Sequence, residues 1–147
     1  MDHVSVAYNL KMDAIQAAVV SIKLKRFEEW MHHRRDMAER YHEQLAGLDI
    51  DLPLEGPNVE HAYKLYTICV DERDELRRHL ARRGIESGIL YYPPLHMQTV
   101  YEELPYEEGD FPVSEDRCAK LVNLPMFNGL KAEQVDRIAR AVIEFYE

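Results

Sequence analysis

The chain has 147 residues, enough for one domain with a core of its own, and at 46% hydrophobic and 31% charged it has the composition of a globular protein. Its 27 acidic residues outnumber 18 basic ones, and the net charge of −9 excludes the broad basic face of a general nucleic-acid binder, though not a small local anion site. Cys69 and Cys118 are too few for a disulfide framework and imply a cytoplasmic setting; Met1-Asp2-His3 opens no signal peptide, and the apolar run 14–22, broken by Gln16 and Ser21, is too short for a membrane span.

Residues 1–12 read as a cut edge, with β-branched Val4 and Val6 before a turn at Tyr8-Asn9. One unbroken helix is predicted over 13–45. Ile15, Ala18, Val19, Ile22, Trp30, Met37, Ala38, Tyr41 and Leu45 recur at steps of three and four, and neither Gly nor Pro intervenes before Gly47. Asp13 is placed to meet the helix dipole and Gly47 to close the far end. Such a rod is roughly 50 Å long. That exceeds what a domain of this size needs, so 13–46 reads as an interdomain or dimer helix, packed on another domain or another copy.

Residues 48–58 carry Pro53, Gly56 and Pro57 and form a loop. The aromatic and β-branched run 62–70 is the strongest strand. Leu65 and Cys69 face one side and Tyr66, Ile68 and Val70 the other, as in a central strand covered on both faces. Asp71, with Asp74 three residues on, caps a helix over 72–83 that buries Leu76, Leu80 and Ala81 and stops at Gly84. A second strand, 85–92, ends at Pro93-Pro94. A short helix lies within 95–101, and 102–110 is an acidic loop. Pro112 fits the first turn of a helix reaching Lys120. A short strand, 121–124, stops at Pro125, and a last helix over 131–147 turns Val135, Ile138, Ala139, Val142 and Tyr146 inward. The order implies an α/β fold: a small sandwich of a three- to four-stranded sheet with helices over 47–147, preceded by the long interdomain helix. Whether neighbouring strands run parallel or antiparallel stays open.

The chemistry is sparse. His32 and His33 are adjacent and point about 100° apart on a helix. No HExxH, no CxxC, no glycine-rich phosphate loop and no GxSxG elbow occurs, so no metal site is expected. The carboxylates Glu102, Glu103, Glu107, Glu108 and Asp110 read as a solvated loop. What remains is polar and aromatic residues at element ends: Tyr8, Asn9 and Lys11 before the long helix, and Tyr91, Tyr92 and His96 around Pro93-Pro94. Taken singly, Asn9 is a turn former, His96 a satisfied loop imidazole and the tyrosines a core edge.

Taken together, in register, they carry a resemblance. The segment Tyr8-Asn9-Leu10-Lys11-Met12-Asp13-Ala14-Ile15-Gln16-Ala17-Ala18 resembles the G-x-N-x-R-M-x-x-I-x-A-A motif of the DegT/DnrJ/StrS family, pyridoxal-phosphate (PLP) sugar aminotransferases of the aspartate-aminotransferase fold. Arg34-Arg35 with Tyr41, Tyr63 to Ile68, Arg73-Asp74 with Leu80 and Gly84-Ile85, Tyr92-Pro93-Pro94-Leu95-His96, Phe111-Pro112 and Leu124-Pro125 resemble further family motifs in order. The resemblance covers essentially the whole chain and only the carboxy-terminal part of the family.

The resemblance implies that the large domain, with its cofactor lysine, pyridinium-binding aspartate and phosphate-binding serine, lies upstream of Tyr8. None of the six lysines (11, 23, 25, 64, 120 and 131) matches the Schiff-base position, so no PLP is expected on this chain alone, and it is expected to be inactive by itself. By resemblance Asn9 reaches the PLP phosphate of a partner subunit, a role suited to an amide donor. Lys11 stands where the family has arginine, keeping an anion contact but not a bidentate fork. Tyr91 departs from a frequent histidine. Lys11, Tyr92 and His96 are the implied substrate-binding residues, and His96 also fits a loop-holding role. The implied function is the small-domain portion of an aminotransferase acting on a nucleotide-linked keto sugar in amino-sugar or polysaccharide biosynthesis, with a homodimer through the long helix, or a large-domain chain, as partner. Two alternatives stand beside it: a fragment of a PMP-dependent sugar dehydratase, and a non-catalytic module that dimerises or docks on a full-length paralogue.

Overall fold

The computed structural model describes residues 12–147. The helix predicted over 13–45 is two helices, α1 (Ala14–Leu24) and α2 (Phe27–Leu45). Asp13 caps α1 as expected, its carboxylate accepting from the backbone N–H of Ile15 at 2.8 Å and Gln16 at 3.2 Å. At the break the Arg26 N–H bonds the Lys23 carbonyl three residues back, and the ladder restarts when Trp30 N–H bonds the Arg26 carbonyl. The Arg26 guanidinium grips Glu29 through two bonds of 3.1 and 2.7 Å and lies over the Trp30 ring. No residue of α1 is buried, so packing among the described residues does not carry the helix across 25–26, and this local arrangement ends it there. Gly47 is not a left-handed cap; α2 ends at Ala46 with ordinary helical backbone.

The apolar stripe on α2 is real only in its second half. Ala38, Tyr41 and Leu45 are buried, whereas Ile15 and Ile22 of α1 are 76% and 66% exposed. The α2 stripe lies on α5 (Ala132–Tyr146), which turns Val135, Ile138, Ala139 and Val142 inward, with Tyr146 half-buried. A polar clamp flanks it: Arg40 forks onto Asp136 at 2.6 and 2.7 Å, and Gln44 donates to the same carboxylate at 2.6 Å.

Among the described residues the sheet has two strands, β1 (Tyr66–Cys69) and β2 (Leu121–Leu124), paired antiparallel with Tyr66 opposite Leu124 and Cys69 opposite Leu121. The strand predicted over 62–70 starts later because Tyr63, with φ 41°, breaks the extended backbone. The strand predicted over 85–92 reduces to one bridge, Gly88 to Asn123, and a second bridge joins Asp51 to Cys69. Each sheet edge is thus covered by a single residue rather than by a third and fourth strand. Tyr66 and Ile68 are buried under the helices, while Thr67 and Cys69 on the other face are half-buried, so β1 is covered fully on one face only.

The helix α3 (Arg73–Arg82) lacks the expected side-chain cap: Glu72 precedes it without a capping bond. It buries Leu76, His79 and Leu80, leaving Ala81 exposed. Its C-terminus closes as Gly84 predicts. Gly84 takes φ +69°, its N–H bonds the Ala81 carbonyl, and Ile85 N–H reaches Leu80, the paired bonds of a Schellman motif, with Ile85 buried. Two short 3₁₀ turns (Leu95–Met97 and Thr99–Tyr101) replace the helix expected in 95–101. α4 (Pro112–Lys120) begins at Pro112 and runs straight into β2.

Tyr41 stacks on Tyr66 with ring centroids 4.7 Å apart, and Tyr63 continues the stack at 6.4 Å. Tyr41 donates its hydroxyl to the Pro125 carbonyl, and Tyr66 Oη lies 3.3 Å from His42 Nδ1. Burial pushes both phenols well above their ordinary range. Tyr41→Ala is expected to cost about 3–5 kcal/mol, as other large-to-small core changes do. Tyr41→Phe, which loses only the bond to Pro125, is expected to cost about 1 kcal/mol. Urea unfolding of the two variants checks the ratio. Asp136 supplies a second test. The bonds from Arg40 hold its carboxyl below the ordinary carboxylate range. Its contribution is therefore full above about pH 4 and is lost as pH falls through the lower folded value. Asp136→Asn should give a shallower decline of the urea midpoint on acidification than the parent chain.

Candidate functional site

The loop from Gly88 to Phe111 carries Tyr91, Tyr92 and His96 and is anchored at two points. At the first, Tyr91 takes the left-handed backbone region at φ 69°, and its carbonyl accepts from Cys118 Sγ–H at 3.0 Å. The Tyr92 ring lies under the Arg73 guanidinium, 4.7 Å from its carbon. Arg73 is largely buried (12% exposed) and donates to Asp74 at 2.9 Å and to the Cys118 carbonyl at 3.2 Å, so the cation is fixed before the ring meets it. The Tyr92–Pro93 bond is cis, and Pro94 is buried.

At the second anchor, His96 Nε2–H donates to Glu115 Oε1 at 3.0 Å, and its ring packs on Phe111 at 4.8 Å, with Tyr106 edge-on to Phe111. The same carboxylate accepts from the backbone N–H of Gly109 at 2.9 Å and of Phe111 at 3.1 Å. Burial alone would raise the Glu115 carboxyl. The N–H groups of Phe111 and Gly109 and the His96 ring outweigh it and hold the group below its usual range. One carboxylate therefore ties the loop, the acidic segment 102–110 and the start of α4 together.

Between the anchors the loop turns Tyr91, Tyr92, Leu95, Met97 and Val100 outward. This is an apolar and aromatic wall on a rigid base, able to flank a ligand. His96 side-chain exposure is only 8%, so its ring serves the base of that wall. Tyr92 and His96 thus share a loop but sit at separate anchors. Asn9 and Lys11 lie outside the described residues. Glu115 and Cys118 were not singled out from the sequence. Glu115 stands one turn into a Pro-started helix, where a carboxylate meets free N–H groups, and that position was the available signal.

The residues fit a coenzyme poorly. A lysine that forms a Schiff base needs a depressed pKa and a walled site. Lys120 sits between Asp116 at 2.8 Å and Asp71 at 3.0 Å, whose hydrogen bonds push it up to about 12, the opposite direction. Lys64, expected on a buried strand, is exposed, as are Lys23, Lys25 and Lys131. Of the described lysines only Lys120 is not exposed, and it is committed to two carboxylates. Among the described residues no group of three or more His, Cys, Asp or Glu could hold a metal.

Residues 1–143 match the model of the DegT/DnrJ/EryC1/StrS aminotransferase family. The chain is 34% identical to the dTDP-3-amino-3,4,6-trideoxy-alpha-D-glucose transaminase of Streptomyces venezuelae over 99% of its own length and 38% of that protein's. It is 35% identical to a "pleiotropic regulatory protein" of Geobacillus stearothermophilus, over 98% of this chain and 40% of that one. The crystal structure of S. venezuelae DesV in complex with a ketimine intermediate superposes with TM-score 0.92 at 34% identity, covering 99% of this chain and 40% of that one. A family aminotransferase from Brucella abortus superposes at 0.87 with 35% identity, covering 98% and 38%. The chain spans about two fifths of the length of the relatives it matches. Agreement of sequence and fold along nearly every residue leaves one conclusion: the chain belongs to the DegT/DnrJ/EryC1/StrS aminotransferase family.

Proposed function

We propose that the chain is the carboxy-terminal small-domain portion of a PLP-dependent aminotransferase that acts on a nucleotide-linked keto sugar, and that it is inactive without a large domain. One observation carries the reading: the chain aligns end to end with two fifths of a sugar-nucleotide transaminase. The unsuitability of the described lysines supports it. In the complete enzyme PLP would supply the electron sink for amino transfer, from residues beyond those described. The chain's own contributions are structural and recognitional. Asn9 donates to an anion, the coenzyme phosphate of a partner subunit. Lys11 adds a point charge beside it, and Tyr92 presents one wall of the sugar pocket on the base that Arg73 holds. His96 sets the position of that wall through Glu115.

The exposed apolar face of α1 supports an obligate cover. Ile15, Val19 and Ile22 share one side of α1 and are all open. A contiguous apolar surface of that kind marks an interaction site. The cover is a second copy or a large-domain chain; for the isolated chain it is a second copy.

Two measurements test these readings. The chain alone, given PLP, an amino-acid donor and a nucleotide-linked keto sugar, should transfer no amino group. Joined to the amino-terminal portion of the S. venezuelae relative, it should. Transfer by the chain alone, or a visible PLP band removed by borohydride, would overturn the proposal. Light scattering should give twice the 17.3 kDa of one chain. Val19→Glu with Ile22→Glu should return the monomer, because each charge would have to be desolvated at the interface. A monomer from the parent chain would refute the second-copy cover.

A further inference from the structure

Outside the loop, one side-chain cluster is not explained by packing. A groove of about 260 Å³ runs between the C-terminal end of α3 and the middle of α5, lined by Arg83, Ile85, Arg137, Arg140, Ala141 and Glu144. It lies at the opposite end of α3 from Arg73 and Tyr92, a helix length of about 15 Å away. The chain as a whole carries −9, yet this lining has three guanidinium groups and one carboxylate. Bringing like charges around one groove is opposed by roughly 1 kcal/mol per close pair even in water. Ordinary surface placement gives no reason for it.

Two of the three guanidinium groups are pre-set. Arg83 donates to Glu144 at 3.2 Å and lies 3.2 Å from His79 Nδ1. Buried His79 is fixed in turn: its Nε2 is 2.9 Å from the Ala141 carbonyl and must be the N–H that donates. Nδ1 is therefore the acceptor, and Arg83 Nη1 donates to it. Arg137 donates one Nη2 bond, 2.6 Å, to the carbonyl of Arg83, joining α5 to the closing turn of α3. That bond uses one of its five N–H donors. Arg140 makes no hydrogen bond to another described residue. Its charge reaches Asp136, one turn before it on α5, whose hydrogen bonds come from Arg40 and Gln44.

The donor set selects among anions. A carboxylate is planar and its two oxygens match the fork of one guanidinium, as Asp136 shows with Arg40. Three guanidiniums, one just past the end of α3 and two on α5, line one groove and match a tetrahedral dianion, whose oxygens point in several directions and whose charge offsets the net +2 of the lining. We propose that this groove between α3 and α5 binds a phosphate group, free or as a sugar ester. The proposal does not rest on the amino-transfer reading, and its failure would leave that reading untouched.

The test follows the arginine Nε–Hε resonances of the full chain by NMR while inorganic phosphate, ribose 5-phosphate or succinate is added at low chloride. Both phosphates should give saturable shifts at Arg83, Arg137 and Arg140, with half-saturation below about 10 mM, and succinate should bind at least about tenfold more weakly. Equal affinity for the two phosphates assigns recognition to the phosphate alone. Tighter binding of the ester assigns an added contact to the sugar, and either result supports the site. Arg140→Gln removes no structural bond and should weaken both phosphates about tenfold with the unfolding midpoint unchanged. Arg78→Gln, outside the groove, should change neither. No saturation, succinate binding as tightly as phosphate, or undiminished binding by Arg140→Gln overturns the assignment. Arg137→Gln does not serve alone, because it also cuts the bond to Arg83, so Arg140→Gln decides.

Discussion

The contact between α2 and α5 holds the described structure together. Ala38, Tyr41 and Leu45 on one helix meet Val135, Ile138, Ala139 and Val142 on the other, and the Arg40–Asp136–Gln44 clamp sets their register. A sheet of two four-residue strands is too small to be stable by itself. It exists because Tyr66, Ile68, Val122 and Leu124 are pressed against these helices and α3. The exposed edge groups that such a sheet would leave are taken up by Asp51 on one side and Gly88 on the other.

Where the sequence was legible, burial and periodicity agreed. The inward residues of the last helix, the strand 121–124, the proline start of α4 and the glycine stop of α3 all follow from local rules that tertiary structure did not override. The long helix failed for the opposite reason. Its first half has the correct period, but no partner among the described residues lies against α1, and Lys25 and Arg26 are good helix formers that give no warning of a break. The strand at 85–92 failed because β character in Ile85, Ile89 and Leu90 competes with the turn chemistry of Gly84, Gly88 and Pro93, and Gly88 alone reaches the sheet. Tyr92 and His96 were visible as candidates, while Glu115, on which His96 depends, lies nineteen residues away and is joined only by the fold.

Family and fold agree along the whole chain, but the chemistry is divided. The described residues build a wall whose polar side chains are already engaged: His96 is committed to a carboxylate and Lys120 to two. In the proposed function, that pattern suits a part that shapes a pocket completed by something else. On that reading the loop contributes to selectivity through its position, which two independent anchors, a cation over an aromatic ring and a carboxylate under a histidine, hold in place.

The clamp between Arg40 and Asp136 spans 96 residues of sequence. Contacts that distant close late, after the intervening chain has been ordered. A nascent chain that has reached Leu124 already holds both strands and the α2 stripe, but still lacks the helix that seals them. Until α5 leaves the ribosome, the side of Tyr41 and Leu45 that it covers stays open to water, and an apolar stripe of that kind is the aggregation-exposed surface of a partly made domain.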